Sequence, residues 1–276
     1  MLMDDLTPIP PTDASAANLP ATAPQSVDTS PPRKDNRHAV SDTRESLCNE
    51  RATGPASRIA LPVNQVASIH GFMIDIDLSH LAHDTLGGES LASVDAFYAS
   101  HLGLWLDRDP VLAKAEVRDT GHGVHVLLWL DKPVVCSDGD QQTWNGIVGG
   151  LRTVLPGDPK VNGINAMTRP VGAENTKSDP VMVVRQLRAG QPVTRAEILD
   201  LVTRATRSPA ELWMRVFHGG DSVSPCPLCL DANSTLRIAG NWQCQCYECG
   251  RKDAASLLYR LYNPKFLELM KGATNG

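Results

Sequence analysis

Aromatic residues are scarce in this chain of 276 residues, and they make up only 5% of it. None lies within residues 1–57, a stretch that instead holds eight of the 20 prolines. A segment of this composition cannot bury enough apolar surface to offset the entropy that it would lose on ordering. We therefore predict a disordered tail over residues 1–57 and a folded part after it.

Positive charge is also in short supply. The chain has 26 Lys and Arg against 31 Asp and Glu, a formal net charge of −5 at pH 7. This balance excludes a protein that coats nucleic acid through a basic surface. The charge is uneven, however: residues 1–180 carry 14 basic and 23 acidic side chains, and residues 181–276 carry 12 and 8. Any contact with nucleic acid is predicted to be weak, salt-sensitive and concentrated in the carboxy-terminal third.

No long hydrophobic run is present. The longest, residues 124–130, contains His125 and is far shorter than the ~20 residues that a membrane-spanning helix needs. The acidic start, Met1 to Asp5, lacks the apolar segment of a secretory signal. Five of the seven cysteines crowd into residues 226–249, which favours a metal site in a reducing compartment over disulfides. We expect a soluble cytoplasmic protein with no membrane partner.

Hydrophobic periodicity predicts a mixed α+β fold. Two helix starts fit the capping box, in which a hydroxyl and a carboxylate three residues later bind unpaired backbone N–H groups: Thr194 with Glu197, and Ser208 with Glu211. The predicted strands are 68–77, 115–118, 124–130 and 182–187, and the predicted helices include 89–106, 142–155 and 253–262.

Two carboxylates, Asp75 and Asp77, end the first apolar run. Residues i and i+2 of a strand face the same side, so both can converge on Mg²⁺ or Mn²⁺, which prefer oxygen ligands. A solvated strand edge is the alternative for this pair.

A second chemical feature is the segment Thr120 to His125, which contains Gly121 and Gly123. Alternating glycines allow a backbone to approach a ligand closely, and His125 would then point into the same cleft. A glycine turn with a half-buried histidine explains the segment as well.

A third feature runs from Arg169 through Gly172 and Asn175 to Lys177, with Asp158 upstream. Arg as a planar fork and Lys as a point charge suit phosphate groups. A polar surface loop is the alternative for this block.

The order and spacing of these three blocks resemble the archaeo-eukaryotic primase superfamily, especially its phage and plasmid primase-polymerases, over about residues 59–187. The resemblance implies an RRM-like sheet with flanking helices and two-metal nucleotidyl transfer. It also implies roles for residues: Asp75 and Asp77 bind catalytic Mg²⁺ or Mn²⁺, His125 contacts the triphosphate, and Arg169 and Lys177 grip phosphate. Asn175 is assigned to the same nucleotide site.

The chain departs from that pattern at two points. Many relatives have Arg-Leu-Pro-Gly-Thr where this chain has Arg169 followed by Pro-Val-Gly-Ala. The third metal-binding carboxylate of the family has no counterpart between Val161 and Arg169, so Asp158 is the candidate for it.

The cysteine cluster contains two Cys-x-x-Cys pairs, Cys226 with Cys229 and Cys246 with Cys249. Four thiolates at this spacing predict a tetrahedral, structural Zn²⁺ site with no open coordination position. Cys244 is the spare and is expected to be a buried thiol, and Cys48 and Cys136 are expected to be free thiols.

The surroundings of the cysteine cluster resemble the zinc-binding modules of bacterial and phage primases, which help to select the template site. A generic zinc ribbon for protein contacts shares the two cysteine pairs and remains an alternative.

These observations predict a tail (1–57), a primase-polymerase catalytic domain (58–192), a helical linker (193–220) and a zinc module with a carboxy-terminal helix (221–276). The predicted function is a DNA primase of a phage, plasmid or mobile element that uses nucleoside triphosphates on single-stranded DNA. No Gly-x-x-x-x-Gly-Lys-Ser/Thr is present, so a separately encoded helicase is the expected partner.

The main alternative is a non-catalytic replication-initiation or origin-binding protein that keeps the fold. A repair polymerase of the same superfamily and a rolling-circle nuclease are further alternatives, and the histidine spacing disfavours the nuclease.

Overall fold

The computed structural model describes residues 62–81, 93–137, 139–158, 160, 163–176, 180–229 and 231–253. The predicted tail, Glu89 at the start of the first predicted helix, Lys177 and residues 254–262 of the last predicted helix lie outside these ranges. The described residues all belong to one compact unit. Within them, no helix combines the length and apolar character that crossing a membrane requires.

The central sheet has four strands, namely β1 (Ser68–Asp77), β2 (Glu116–Asp119), β3 (Gly123–Val135) and β6 (Arg185–Arg188). These strands are antiparallel and lie in the order β1–β3–β2–β6. The predicted strand 68–77 and the predicted hairpin are both confirmed.

The predicted strand 182–187 is divided in two. Strand β5 (Met182–Val183) pairs with β4 (Glu174–Asn175), whereas β6 joins the central sheet. The buried Val184 separates them because its backbone hydrogen bonds go to the turn before β4, at Gly172 and Ala173.

Helices follow the predicted positions with different ends. Helix α2 ends at Leu151, four residues short of the predicted 155, because the chain turns towards β1. The helices are α1 (α-helical Val94–Phe97, π-helical Tyr98–Leu102, α-helical Gly103–Asp107), α2 (Asp140–Leu151), α3 (Arg195–Arg207) and α4 (Pro209–Trp213, continuing as π-helical Met214–His218).

One of the two predicted capping boxes forms. The Thr194 hydroxyl accepts a hydrogen bond from the Glu197 N–H, and the Glu197 carboxylate accepts one from the Thr194 N–H. The Ser208 prediction is wrong, because that side chain makes no capping hydrogen bond. Ser208 ends α3 as well as starting α4, and its N–H donates to the carbonyl of Arg204.

Most of the hydrophobic core contributed by β1 lies on one face of the central sheet, since side chains alternate between its two faces. Phe72, Ile74 and Ile76 of β1 are all buried there. The Phe72 ring stacks on Trp144 of α2 with the ring centroids 5.7 Å apart. The residues that alternate with these three along β1, including Asp75 and Asp77, therefore share the opposite face. Met73 and Leu127 on the opposite face are buried as well.

The two glycines of the β2–β3 turn serve the backbone of the protein itself. Gly121 has φ +97°, a left-handed conformation that glycine adopts without strain. Gly123 lies opposite Asp77, where a Cβ atom would come within 2.2 Å of the Ile76 carbonyl oxygen. Close packing against β1 thus explains Gly123, and not the approach of a ligand that the sequence suggested.

The cysteine-rich part folds as a second antiparallel sheet, in the order β10–β9–β8–β7. It is attached to α4, since the Ala210 N–H donates to the Asn241 carbonyl, and Leu236 shares the main core. Asp253 ends β10 and does not begin the predicted helix. The strands are β7 (Ser222–Val223), β8 (Leu236–Gly240), β9 (Gln243–Cys246) and β10 (Lys252–Asp253).

Candidate functional site

A row of three polar residues crosses the other face of the central sheet, called the open face because Asp75, Asp77 and Trp129 are only partly buried on it. In the strand register Asp75 lies opposite His125, and His125 lies opposite Arg118. Side chains directly opposite each other on antiparallel strands share a face, with Cβ atoms about 4.5–5.5 Å apart. Asp77 is two residues further along β1 and faces the same side. The fold therefore brings together the carboxylates and the histidine that the sequence singled out.

Asp75 in the row and Asp77 next to it are both partly exposed, with 24% of the Asp75 side chain and 36% of the Asp77 side chain accessible. Asp75 Oδ1 lies 3.7 Å from His125 Nε2. Asp77 Oδ1 accepts a hydrogen bond from the Ser79 N–H, which fixes the carboxylate at the end of β1.

Asp158 lies beside β1 as well. Its N–H donates to the Asp75 carbonyl at 2.6 Å, so the segment after α2 follows the outer edge of the strand. Gly157 makes this approach possible, because a Cβ atom there would lie 2.8 Å from the Ile74 side chain. The backbone of Asp158 is thus next to β1, whereas its carboxylate accepts a hydrogen bond from the Lys160 N–H at 2.8 Å. Among the described residues, Asp75, Asp77 and Asp158 do not converge as a group of metal ligands.

His125 is buried, and its Nδ1 lies 2.7 Å from the Thr168 hydroxyl. Burial lowers the pKa of His125 to about 3, with the positive charges of Arg169 and Arg118 acting in the same direction. The imidazole is therefore neutral at pH 7. A carboxylate beside Nε2 favours the tautomer with the proton on that nitrogen, so Thr168 donates to Nδ1.

Arg118 connects the row to the loop that carries Arg169. Its Nη1 donates to the Arg169 carbonyl at 2.8 Å, and its Nε pairs with Glu116 at 2.6 Å. Since Arg118 is buried and ion-paired, it holds the loop in place. Sequence reasoning missed Arg118 and Thr168, although the alternation of Glu116 and Arg118 along β2 could have indicated a polar face.

The other residues of the segment from Arg169 to Lys177 differ in their positions and contacts. The Asn175 amide is buried and donates to the Thr120 carbonyl at 2.6 Å, so this donor anchors the β2–β3 turn. Gly172 adopts φ +86° in the turn between Arg169 and β4. Lys177 lies outside the described residues.

The four predicted zinc ligands converge. One Sγ atom from each of Cys226, Cys229, Cys246 and Cys249 lies within 4.8 Å of the others, so the group could hold a metal ion such as zinc. Cys244, the spare thiol, is buried outside this group, as expected. The cysteine cluster is thus a compact thiolate site with no position for a substrate.

The surroundings of these thiols set their protonation. Burial raises the pKa of Cys226 to about 11, whereas a hydrogen bond from Ser234 lowers the pKa of Cys229 to about 7. The Leu228 N–H also donates to the Cys226 sulfur. A bound dication favours the thiolate form of every ligand, so metal binding releases protons.

No protein-family model matches the chain. No curated protein matches it. Among solved structures, the chain is similar to the AEP domain of the primase-polymerase (PrimPol) of cyanophage S-2L, at 15% sequence identity and a TM-score of 0.35. The similarity covers 51% of this chain and 64% of that one.

Proposed function

We propose that this protein is a DNA primase of the primase-polymerase type that joins nucleotides at the open face of its central sheet. The row of Asp75, His125 and Arg118 carries this proposal. Three separate strands bring a carboxylate, a neutral imidazole and a buried guanidinium into one line, and the loop bearing Arg169 is bound to that line. Carboxylates beside phosphate-binding groups suit phosphoryl chemistry.

The acidic residues fit divalent cations. Asp75 and Asp77, on one face at the end of β1, offer the hard oxygen ligands that Mg²⁺ and Mn²⁺ prefer, and Asp158 is proposed as the third carboxylate once a cation draws it towards them. When bound, two such ions stabilise the attacking and leaving oxygens of an in-line displacement.

The side chains around these carboxylates bind and orient the nucleotide. His125, neutral and protonated on Nε2, donates a hydrogen bond to a phosphate oxygen, and Thr168 fixes the plane of its ring. Arg169 and Lys177 neutralise the triphosphate. The 3′-hydroxyl of the growing strand then attacks the α-phosphate, and pyrophosphate leaves with the electron pair of the broken P–O bond.

The zinc module is proposed to contact the single-stranded DNA template. Arg237 on β8 and Lys252 on β10 are exposed and lie on either side of the half-buried Gln245 of β9. Trp242 and Tyr247, which flank β9 in the chain, are 50% and 66% exposed. Cations next to exposed aromatic rings suit a flexible strand, because phosphates meet charge and bases stack on rings. A separately encoded helicase and a phage, plasmid or mobile-element origin belong to the same proposal.

Primer synthesis tests the proposal. Wild-type protein should incorporate labelled nucleotides on random single-stranded DNA with Mg²⁺ or Mn²⁺. Asp75→Asn should lower the yield by at least about 100-fold, since one metal-binding carboxylate is lost while the residue volume is kept. Asp158→Asn, which tests the third carboxylate, should also lower it.

Asp200→Asn is the matched control. It removes an exposed carboxylate of α3 that, among the described residues, pairs with its helix neighbour Arg204 alone, so its yield should equal that of the wild type. Unchanged synthesis by Asp75→Asn would refute the assignment. Binding of single-stranded DNA without any incorporation by the wild type would instead support a non-catalytic replication-initiation protein.

A further inference from the structure

A cleft of about 680 Å³ lies on the open face of the central sheet, next to the polar row. Arg118 belongs to both, so the cleft is continuous with the proposed phosphate site. Its other lining residues include Glu116, Trp129 and Gln186, with Val171 and Gly190 at its sides. The volume is typical of a pocket for a small organic ligand.

Trp129 is held rigidly in this cleft. Its Nε1 donates to Glu116 at 2.6 Å, and the Arg118 guanidinium carbon lies 5.8 Å from the ring centroid. The ring also lies against Gly71, where a Cβ atom would come within 2.9 Å of the ring carbon Cε3. A ring fixed by these contacts loses little conformational freedom when a ligand stacks on it.

Charge in the cleft favours a neutral ligand group. The carboxylate of Glu116 pairs with the guanidinium of Arg118, so neither presents a net charge to the cleft, and the carboxylate of Asp131 in its lining disfavours an anion. Gln186 and His70 offer hydrogen bonds at its margin. A flat ring with polar edges, such as a nucleobase, matches an indole beside an amide, whereas a phosphate would find no unpaired cation here.

The position of this cleft along β3 relates it to the residues proposed to bind the phosphates of the nucleotide. Trp129 follows His125 by four residues on β3, so the two share a face and are about 13 Å apart along the strand. A nucleoside triphosphate with its phosphates at His125 and Arg169 extends towards Trp129 along the sheet.

We propose that this cleft binds the base of the incoming nucleoside triphosphate, with the base stacked on Trp129. The proposal rests on the proposed function, because that function places the phosphates at His125. It adds the residue that recognises the rest of the substrate, and it does not require the template to occupy the cleft.

Binding of ATP and of tripolyphosphate, both in Mg²⁺ and measured by calorimetry, separates the two halves of the site. Stacking on one aromatic ring contributes about 1–3 kcal/mol, so Trp129→Leu should weaken ATP binding by about 10-fold or more. Tripolyphosphate has no base, and its affinity should be the same for the variant and the wild type. Trp129→Phe keeps a stacking ring and should stay within about threefold of wild type in ATP affinity.

Leu104→Ala is the control, since it removes an exposed apolar side chain of α1 and should not change ATP affinity. Thermal unfolding checks that each variant folds. If Trp129→Leu does not fold, ATP quenching of tryptophan fluorescence decides: the quenching should persist in Leu104→Ala and be lost in Trp129→Phe. Quenching that persists in Trp129→Phe would overturn the proposal.

Failure of this proposal is distinguishable from failure of the proposed function. Primer synthesis with an unchanged KM for nucleotides in Trp129→Leu would overturn the base site and leave the primase proposal standing. ATP binding that depends on Trp129, in a protein that makes no primer, would support the base site and refute the primase activity.

Discussion

His125 shows how burial keeps a histidine uncharged beside a carboxylate, as the proposed contact with an anionic substrate requires. Its imidazole lies between the Asp75 carboxylate and the hydroxyl of Thr168, and two arginines act on it. A protonated imidazole would pair permanently with Asp75. A neutral one forms no salt bridge with the carboxylate and still carries a proton on Nε2.

The lowered pKa of His125 predicts a loss of stability in acid. The folded protein has a pKa of about 3 at this residue, against 6.5 for an ordinary histidine, so between these values the unfolded chain binds a proton that the folded chain does not. The contribution is complete above pH 6.5 and declines as the pH falls towards 3, by at most about 1.4 kcal/mol per pH unit.

Urea unfolding at pH 7 and pH 5 measures this effect. His125→Asn cannot titrate, so its free energy of unfolding should fall less between the two pH values than that of the wild type. His218, whose pKa is lowered to about 4 by burial and by Arg108, contributes with the same sign in both proteins. The difference between them therefore isolates His125, and equal losses would contradict the prediction.

Among single residues, those with conspicuous chemistry could be predicted from the sequence, whereas those that hold other residues in place could not. Asp75, Asp77 and His125 are chemically conspicuous and were predicted together. Arg118 and Thr168 became visible only through the strand register and the folded loop, because each acts on a residue distant in sequence. The proximity of Asp158 to β1 likewise depends on a turn whose path no local pattern specifies.

Among the helices, Thr194 and Ser208 share a sequence motif and differ in structure, which gives a matched pair of variants. Thr194→Ala should destabilise the protein by about 1 kcal/mol, because the Glu197 N–H loses its acceptor. Ser208→Ala should change stability by less than about 0.5 kcal/mol, since this hydroxyl makes no capping bond. Urea unfolding midpoints compare the two, and equal effects would contradict the structural difference.

The same pair shows what a local pattern leaves undetermined in an element. A capping box requires an N-cap residue with an extended backbone, and Thr194 has it at φ −81° and ψ 157°. Ser208, shared by two helices that meet end to end, has φ −140° and ψ 56°. Strands were predictable where alternation was strong, as in β1. The division at Val184 was not, because it depends on which strand each half pairs with.

At the scale of the whole molecule, the two chemistries occupy different ends of the described chain. The carboxylate site lies in the acidic first part, and the thiolate site lies in the part where basic residues exceed acidic ones. This distribution fits a protein that binds metal-chelated nucleotides at one place and contacts a polyanion elsewhere.

The zinc site offers a test within a single strand. Under the proposed function, Cys246→Ser should lose zinc and weaken binding of a labelled single-stranded oligonucleotide, because four thiolates then no longer hold the segment before β8 to the end of β9. Cys244→Ser changes a buried cysteine of the same strand that is not in the ligand group, and it should retain zinc. Zinc content and fluorescence anisotropy measure both effects, and zinc retained by Cys246→Ser would contradict the assignment.

The order of the site residues along the chain has a consequence for synthesis on the ribosome. A nascent chain that has emerged as far as β3 already contains Asp75, Arg118 and His125, but the loop with Thr168 and Arg169 follows only after α2. Since the ribosome adds about 5–20 residues per second, this loop emerges a few seconds after the β2–β3 hairpin. The four clustered cysteines emerge later still, so a metal ion could bind them only after the central sheet is complete, and a chain that stops between β6 and Cys226 has that sheet without the cysteine site.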